Sequence, residues 1–440
     1  MVTSLGGLSS GMDTTSLINA LIQAESAPQT NLKTKVSDYT TNNTAYQTVN
    51  GKMKAVQDAA KELTKFDAFK GAKATSSSTD VVATASTGAQ TGDMTFSVTK
   101  LAAAHRVTAA FAANDTVATD SGTFSLKIGT EDPTTLTVEE NTPQGVADAI
   151  NKAGLAVRAS VVTTDSGPVL QLASTKTGGE NKFELGGLTS EAKVMSEGSN
   201  AELTVGDPTK GGFKVSSSSN TFTGVMPGVT ITASKLATDV TIGVNKDTDA
   251  VAAKMQALVD AANGALAQIS SSSAAGAATS PGSKSSGGPL AGDYTVRQLS
   301  SQILSTVSQG MSDFGSFKQM GIQLTQGGKL EFTKDDFLKA YNENPEKIQK
   351  AVTDGLAGGL QKVADTATDK ISGTLTQKIS SGTTMISRLN KEILDWDTKL
   401  ADRRTALQRQ FSAMESALAK VSSQSSWLSS QTAASNASNS

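Results

Sequence analysis

The chain has 440 residues, more than one compact core usually holds, so two to four domains are expected. Its 39 basic and 41 acidic residues are well mixed and leave a net charge of −2, with no basic stripe for DNA, RNA or acidic lipid. Cysteine is absent and His105 is the only histidine, which removes disulfides, thiolate chemistry and the usual zinc sites.

Asp13 is placed to cap a first helix carrying Leu17, Ile18, Leu21 and Ile22 on one stripe, and Pro28 stops or restarts it. From about 29 to 70 a heptad-like seam follows: Leu32, Val36, Tyr39, Asn43, Tyr46, Asn50 and Met53 alternate steps of four and three. The two asparagines weaken this seam but can fix its register. Residues 74–250 change period. Alternation by two in "MTFSVTKL" (Met94, Phe96 and Val98 on one face), "GTFSLKIG" and "LTVEEN" predicts strands, as do "PVLQLAST" and "GVTITAS". Within this stretch "TPQGVADAINKAGLAVRASVV" predicts a short helix feeding a strand through Gly154. Turn residues every 8–12 positions suggest β-rich sandwiches or barrels.

Helix returns at 251–269, and the Ser/Gly-rich stretch 270–289 has the composition of a flexible loop. Asp293 caps a helix with Val296, Leu299, Ile303 and Val307; "GIQLTQGGKLEF" predicts a hairpin turning at Gly327-Gly328. Thr333 with Asp336 resembles a capping box, and Asn344-Pro345 opens a further helix. The strongest pattern lies near the end. Leu389, Ile393, Trp396, Leu400, Arg404, Leu407, Phe411, Met414, Leu418 and Val421 form a seam with one four-residue stutter at Leu400 to Arg404. No proline or glycine interrupts Arg388–Val421, so one helix of about 50 Å is expected. Arg403 and Arg404 need a carboxylate on a partner helix or a solvent-filled space. Each seam alone lacks a core beneath it, so both ends are expected to be marginal helices that order on association.

Several stretches resemble the bacterial flagellar cap family, the filament-capping hook-associated proteins. These are "SLGGLSSGMDTTSLINALIQAESAP", "GDMTFSVTKLAAAHRV", "SNTFTGVMPGVTITAS", "GGPLAGDYTVRQL", "GIQLTQGGKLEF" and the ending "RLNKEILDWDTKLADRRTALQRQFSAMESALAKVSSQSSWLSSQ". They follow in the family's order, with the weakest coverage at about 122–200. The resemblance implies a non-enzymatic ring of about four to six copies at the filament tip. It also implies flagellin, hook-associated junction proteins and an export chaperone as partners, and export through the flagellar type III channel. Consistent with that, the first residues lack the charged and apolar regions of a cleaved signal peptide. No run reaches the roughly 20 apolar residues of a membrane span. An alternative reading is a junction-type hook-associated protein or a surface adhesin, which the paired ends alone do not separate.

The expected architecture is α+β and multidomain, with paired terminal helices as a coiled-coil leg around inserted β-rich head domains. Its parts are a leg (1–40 with 385–440), a helical stalk with a hairpin (41–73 with 250–384), a β-rich head (74–121 with 200–249) and an inserted head domain (122–199). The candidate assembly interface is Leu17, Leu21, Leu32, Val36, Tyr39, Tyr46, Leu389, Ile393, Trp396, Leu400, Leu407, Phe411, Met414, Leu418 and Val421. No catalytic, cofactor or metal site is expected. Ser97-x-x-Lys100 and Lys176-Thr177-Gly178 echo serine-enzyme motifs, but Ser97 falls on a strand and no S-D-N element exists. Asn245, Asp247 and Asp249 imitate a calcium loop whose sixth and twelfth positions, Ala250 and Gln256, are wrong. The neighbouring acids Glu139-Glu140 and Asp335-Asp336 point apart as solvated or capping groups. His105 is expected on the surface of a strand or turn.

Overall fold

The computed structural model describes residues 13–112, 117–276 and 287–437. The opening residues of the N-terminal signature and half of the Ser/Gly-rich loop, 277–286, lie outside them. Two compact units form: one from Lys65–Ala252, the other from the flanking segments up to Thr64 and from Ala253.

In the flanking unit, the Asp13 carboxylate accepts the Ser16 N–H at 3.0 Å and opens α1 (Thr14–Glu25). Ser26 breaks the run, and α2 (Ala27–Thr64) restarts at once, because Pro28 has no N–H to give back to the preceding turn. The expected division at residue 40 is absent, since α2 crosses it unbroken.

The inserted unit holds two cores. To the first belong β1 (Ala72–Ser76), β2 (Val81–Ala85) and β3 (Gly92–Lys100). The second follows: β4 (Ala104–Ala110), β5 (Thr123–Ile128), β6 (Thr134–Thr137), α3 (Pro143–Ala153), β7 (Val157–Thr164), β8 (Gly167–Thr177), β9 (Phe183–Gly186) and β10 (Ala192–Ser196). The chain then returns to the first core with β11 (Ala201–Val205), β12 (Phe213–Ser217), β13 (Thr221–Thr223), β14 (Val229–Ala233) and β15 (Ala237–Lys246). All the strand pairs are antiparallel. The first core has sheets in the order β1-β15-β3-β11-β12 and β13-β14-β2, and the second has β10-β4-β8-β7 and β6-β5-β9. Phe96 and Val98 of the alternating β3 are buried with Leu203, Ile231 and Ile242. In the second core Val146 and Ile150 of α3 meet Phe124, Leu170 and Leu172. Thr142 caps α3 and Gly154, at φ 67°, ends it, where an L side chain would be strained.

Two expectations fail here. The boundary of the inserted domain is not at 121/122: β4 pairs with β8 and β10, so the second core starts about twenty residues earlier. No glycine or proline marks the switch at Leu101–Ala103, which is why periodicity ran through it. His105 is buried at 4% exposure, not on the surface. Its Nδ1 accepts the Gly198 N–H at 3.2 Å, and its ring meets Phe183 edge-on at 4.9 Å.

Back in the flanking unit, α4 (Thr248–Ser273) runs four residues into the stretch expected to be loop. Then come α5 (Tyr294–Gln309), the hairpin β16 (Ile322–Leu324) and β17 (Leu330–Phe332), α6 (Lys334–Glu343) and α7 (Pro345–Lys350). The Asn263 side chain of α4 clamps the hairpin through both the N–H and C=O of Leu330, at 2.8 Å each. Asn344 caps α7 as expected, but the Thr333 hydroxyl makes no capping bond to α6. A wide π-helical segment, Ala351–Ala357, leads into α8 (Gly358–Thr368). A Cβ on Gly359 would lie 2.6 Å from Thr306 Cγ2, so glycine there lets α8 approach α5 closely. Last is α9 (Thr374–Ala437), 64 residues in one helix.

The two cores meet at a narrow neck, where Ala103 and Ser199 exchange backbone hydrogen bonds of 2.9 and 3.1 Å. Replacing residues 104–198 by two glycines should therefore leave the first core and the helices folded, with one cooperative thermal transition lost. Removing 122–199 instead strands β4 without its sheet, and circular dichroism with hydrogen exchange should show the first core destabilised as well.

Candidate functional site: the seam of the terminal helices

The C-terminal helix α9 lies antiparallel along α1 and α2. Arg403 Nε donates to both carboxylate oxygens of Glu25, at 3.0 and 3.2 Å. The buried Gln29 amide reaches Asp397 at 2.5 Å. Asn43 Nδ2 donates to Thr383 Oγ1 at 3.2 Å. As the partner number rises on one side it falls on the other, which is the signature of an antiparallel pair.

Of the expected seam residues, Leu389 and Leu407 are buried. Leu32, Val36, Tyr46, Ile393, Trp396, Leu400, Phe411 and Met414 are half-buried. Five stand out of the contact. Leu17, Leu21 and Tyr39 are exposed, and Leu418 and Val421 are 38% and 60% exposed. In α1 the buried positions are Thr14 and Ile18, so the helix is rotated relative to the expected stripe by about one residue. Arg403 and Arg404 are both exposed, and it is Arg403 that reaches Glu25 across the helix pair. Both lie between the half-buried Leu400 and the buried Leu407, the interval in which the four-residue step is expected. The carboxylate expected opposite the arginines is Glu25. Within the chain the two ends supply each other's missing face from Thr14 to Leu407.

Sequence reasoning missed the contacts that set this register. Asn43 packs on Gly382, where an added Cβ would sit 2.8 Å from Asn43 Oδ1. The Oδ1 atoms of Asn43 and Asn50 are buried without a donor among the described residues, so this stretch gives up stability for a defined position. A second tie joins three helices. Asp293, 15% exposed, caps α5 through the N–H groups of Thr295 and Val296 and accepts the Tyr46 hydroxyl of α2 at 2.5 Å. Lys378 of α9 completes it at 3.3 Å. Burial favours the neutral acid, but Tyr46, the Val296 N–H and Lys378 outweigh it and hold Asp293 below the usual carboxylate range. Burial, with Asp293 beside it, pushes the Tyr46 phenol well above its ordinary range.

No catalytic arrangement accompanies this seam. Among the described residues no cluster of His, Asp and Glu could hold a metal ion, and no helix is long and apolar enough to cross a membrane. Asp247 Oδ1 accepts the Ala250 N–H at 2.9 Å, capping α4 where the calcium-like spacing lay.

Comparison with known proteins agrees with this architecture. The family described as "Flagellar hook-associated protein 2 C-terminus" matches residues 198–423, and its N-terminal counterpart matches 10–105. The chain belongs to the flagellar hook-associated protein 2 family. It is thus a structural, non-enzymatic member of the filament-cap family. The interval between the two matches, 106–197, is almost the whole second core. Flagellar hook-associated protein 2 of Escherichia coli K12 is 29% identical across 97% of both chains. The B-type flagellar hook-associated protein 2 of Pseudomonas aeruginosa is 28% identical across 94% of this chain and 96% of its own. The fold resembles the crystal structure of the flagellar cap protein FliD D1-D2-D3 domains from E. coli, with a TM-score of 0.59 at 24% identity over 77% of this chain and 99% of that one.

The three-helix tie carries a pH dependence with a defined sign. A carboxylate whose value is lowered on folding stabilises the fold above its unfolded value of ~3.9, and that contribution is lost as pH falls through the folded value. Tyr46→Phe should cost about 1.5 kcal/mol at neutral pH, as for a hydrogen bond to a charged group. The difference from wild type in urea melts should shrink as the pH is taken below 4.

Proposed function

We propose that this protein caps the growing tip of the flagellar filament as a ring of four to six copies. There it retains exported flagellin and promotes its folding and insertion. The carrying observation is the gradient along α9. Its N-terminal two thirds are seated on α1 and α2, while beyond Met414 the apolar residues Leu418, Val421, Trp427 and Leu428 are exposed. Such a helix is anchored at one end and offers an unsatisfied apolar surface at the other, which suits insertion among filament helices. The family membership and the full-length match to flagellar hook-associated proteins support the same reading. Hook-associated junction proteins at the filament base and an export chaperone are the further partners, and export is through the flagellar type III channel.

The seam aromatics hold the anchored part. Trp396 and Phe411 are half-buried, so each truncation to alanine should cost about 2 kcal/mol, less than for a fully buried ring. Cells with the Trp396→Ala, Phe411→Ala double variant should export the protein yet leak unpolymerised flagellin and carry short filaments. Thr398→Ala, on the exposed side, should swim normally. Normal filaments from the double variant would sink the role of the seam, and labelled protein found at filament bases would favour a junction protein.

A further inference from the structure

The second core presents two charged grooves on opposite sides. On the four-stranded sheet, Arg106 of β4 and Arg158 of β7 are both in register with Ala173 of the strand between them. They therefore share one face, two strand spacings or about 10 Å apart, with only a methyl group between. Lys193 of β10 is in register with Thr108 on that same face. The residues of opposite parity, Val107, Leu170 and Leu172, point into the core, so the arginine face looks outward. A groove of about 400 Å³ runs along it, lined by both arginines, Ser160 and Gln171. The four strands contain no Asp or Glu, and neither arginine has an ion-pair partner among the described residues.

Beneath the sheet, Val146 and Ile150 of α3 fill the core. The exposed side of α3, with the turn before it, forms a second groove of about 430 Å³ lined by Glu139, Glu140, Asp148 and Lys152. Lys152 is occupied by Glu139 at 2.6 Å, which leaves Glu140 and Asp148 without an ion pair among the described residues, Asp148 accepting only the Gln144 amide N–H at 2.9 Å. The two grooves are similar in size and opposite in charge.

We infer that these grooves are the two halves of a head-to-tail contact between copies of this chain, the arginine face of one taking the α3 groove of the next. Self-complementary patches on opposite sides of one domain make a heterologous contact, which repeats from copy to copy and closes into a ring when the rotation allows. The inference rests on the ring reading above and names the surface that builds it. Two isolated arginines facing water gain little, whereas guanidinium groups meeting carboxylates in a partly desolvated groove give specificity and register.

Charge reversal tests it on the full-length protein, with sedimentation velocity and mass photometry at low salt as readouts. Arg106→Glu with Arg158→Glu, or Glu140→Lys with Asp148→Lys, should each weaken association by at least about tenfold. Unchanged thermal melting would show that both variants are folded. The quadruple variant, with both faces reversed, should associate again. An equimolar mixture of the two double variants should do so too, in assemblies of even number, because each face then meets its complement. A double variant that keeps the wild-type mass, a quadruple variant that stays dissociated, or a wild type that is monomeric throughout would overturn the inference. The readout is the mass of purified protein, so such a failure leaves the capping role standing. Lost capping by an intact oligomer would instead count against that role alone.

Discussion

The structure depends on the seating of one long helix. A 64-residue helix with a narrow apolar stripe cannot bury that stripe alone, and helical propensity by itself does not hold such a helix in water. Here α1 and α2 cover it from the opposite end of the chain. The whole β-rich unit is thus inserted between the two halves of one helical pair, and the sequence between them is free to vary in size without disturbing the pairing. The family matches at residues 10–105 and 198–423 take in the helical pair and the first core and leave the second core between them.

The seam is not built for maximum stability. Gln29, Asn43 and Asn50 occupy positions that leucine or isoleucine would fill in a tighter pair, and the Asn43 and Asn50 amide oxygens have no donor among the described residues. What these groups provide is position. Only where Gly382 stands opposite is there room for Asn43, and the Glu25–Arg403 and Gln29–Asp397 pairs disfavour any shift by a turn. A structural part of a flagellum benefits more from a single register than from a few more kcal/mol.

Much of this was legible in the residues. Asp13, Pro28 and Asn344-Pro345 announced helix ends through groups whose chemistry is local, and the alternating β3 and β5 followed from burial on one face. The seam of α9 was visible because 3.5-residue spacing survives over many turns. What stayed hidden was non-local. Ile18 rather than Leu17 faces α9 because the break at Ser26 rotates α1, and the adjacent pairs Leu17-Ile18 and Leu21-Ile22 leave that choice open. Arg403 rather than Arg404 makes the ion pair across the helices because Glu25 is there to meet it. The strand switch at Leu101–Ala103 has no turn residue to mark it, and the burial of His105 depends on Gly198, ninety-three residues away.

The register of α2 against α9 can be measured directly, since the chain has no cysteine of its own. A Cβ on Gly382 would lie 3.6 Å from the Asn43 Cβ, within the range of disulfide bridges. With Asn43→Cys and Gly382→Cys, mild oxidation should close an intramolecular disulfide in nearly every molecule without loss of helicity. Closure that fails for this pair, but succeeds when Asn43→Cys is combined with Leu389→Cys one heptad along, would contradict the seating of the helix on which the account rests.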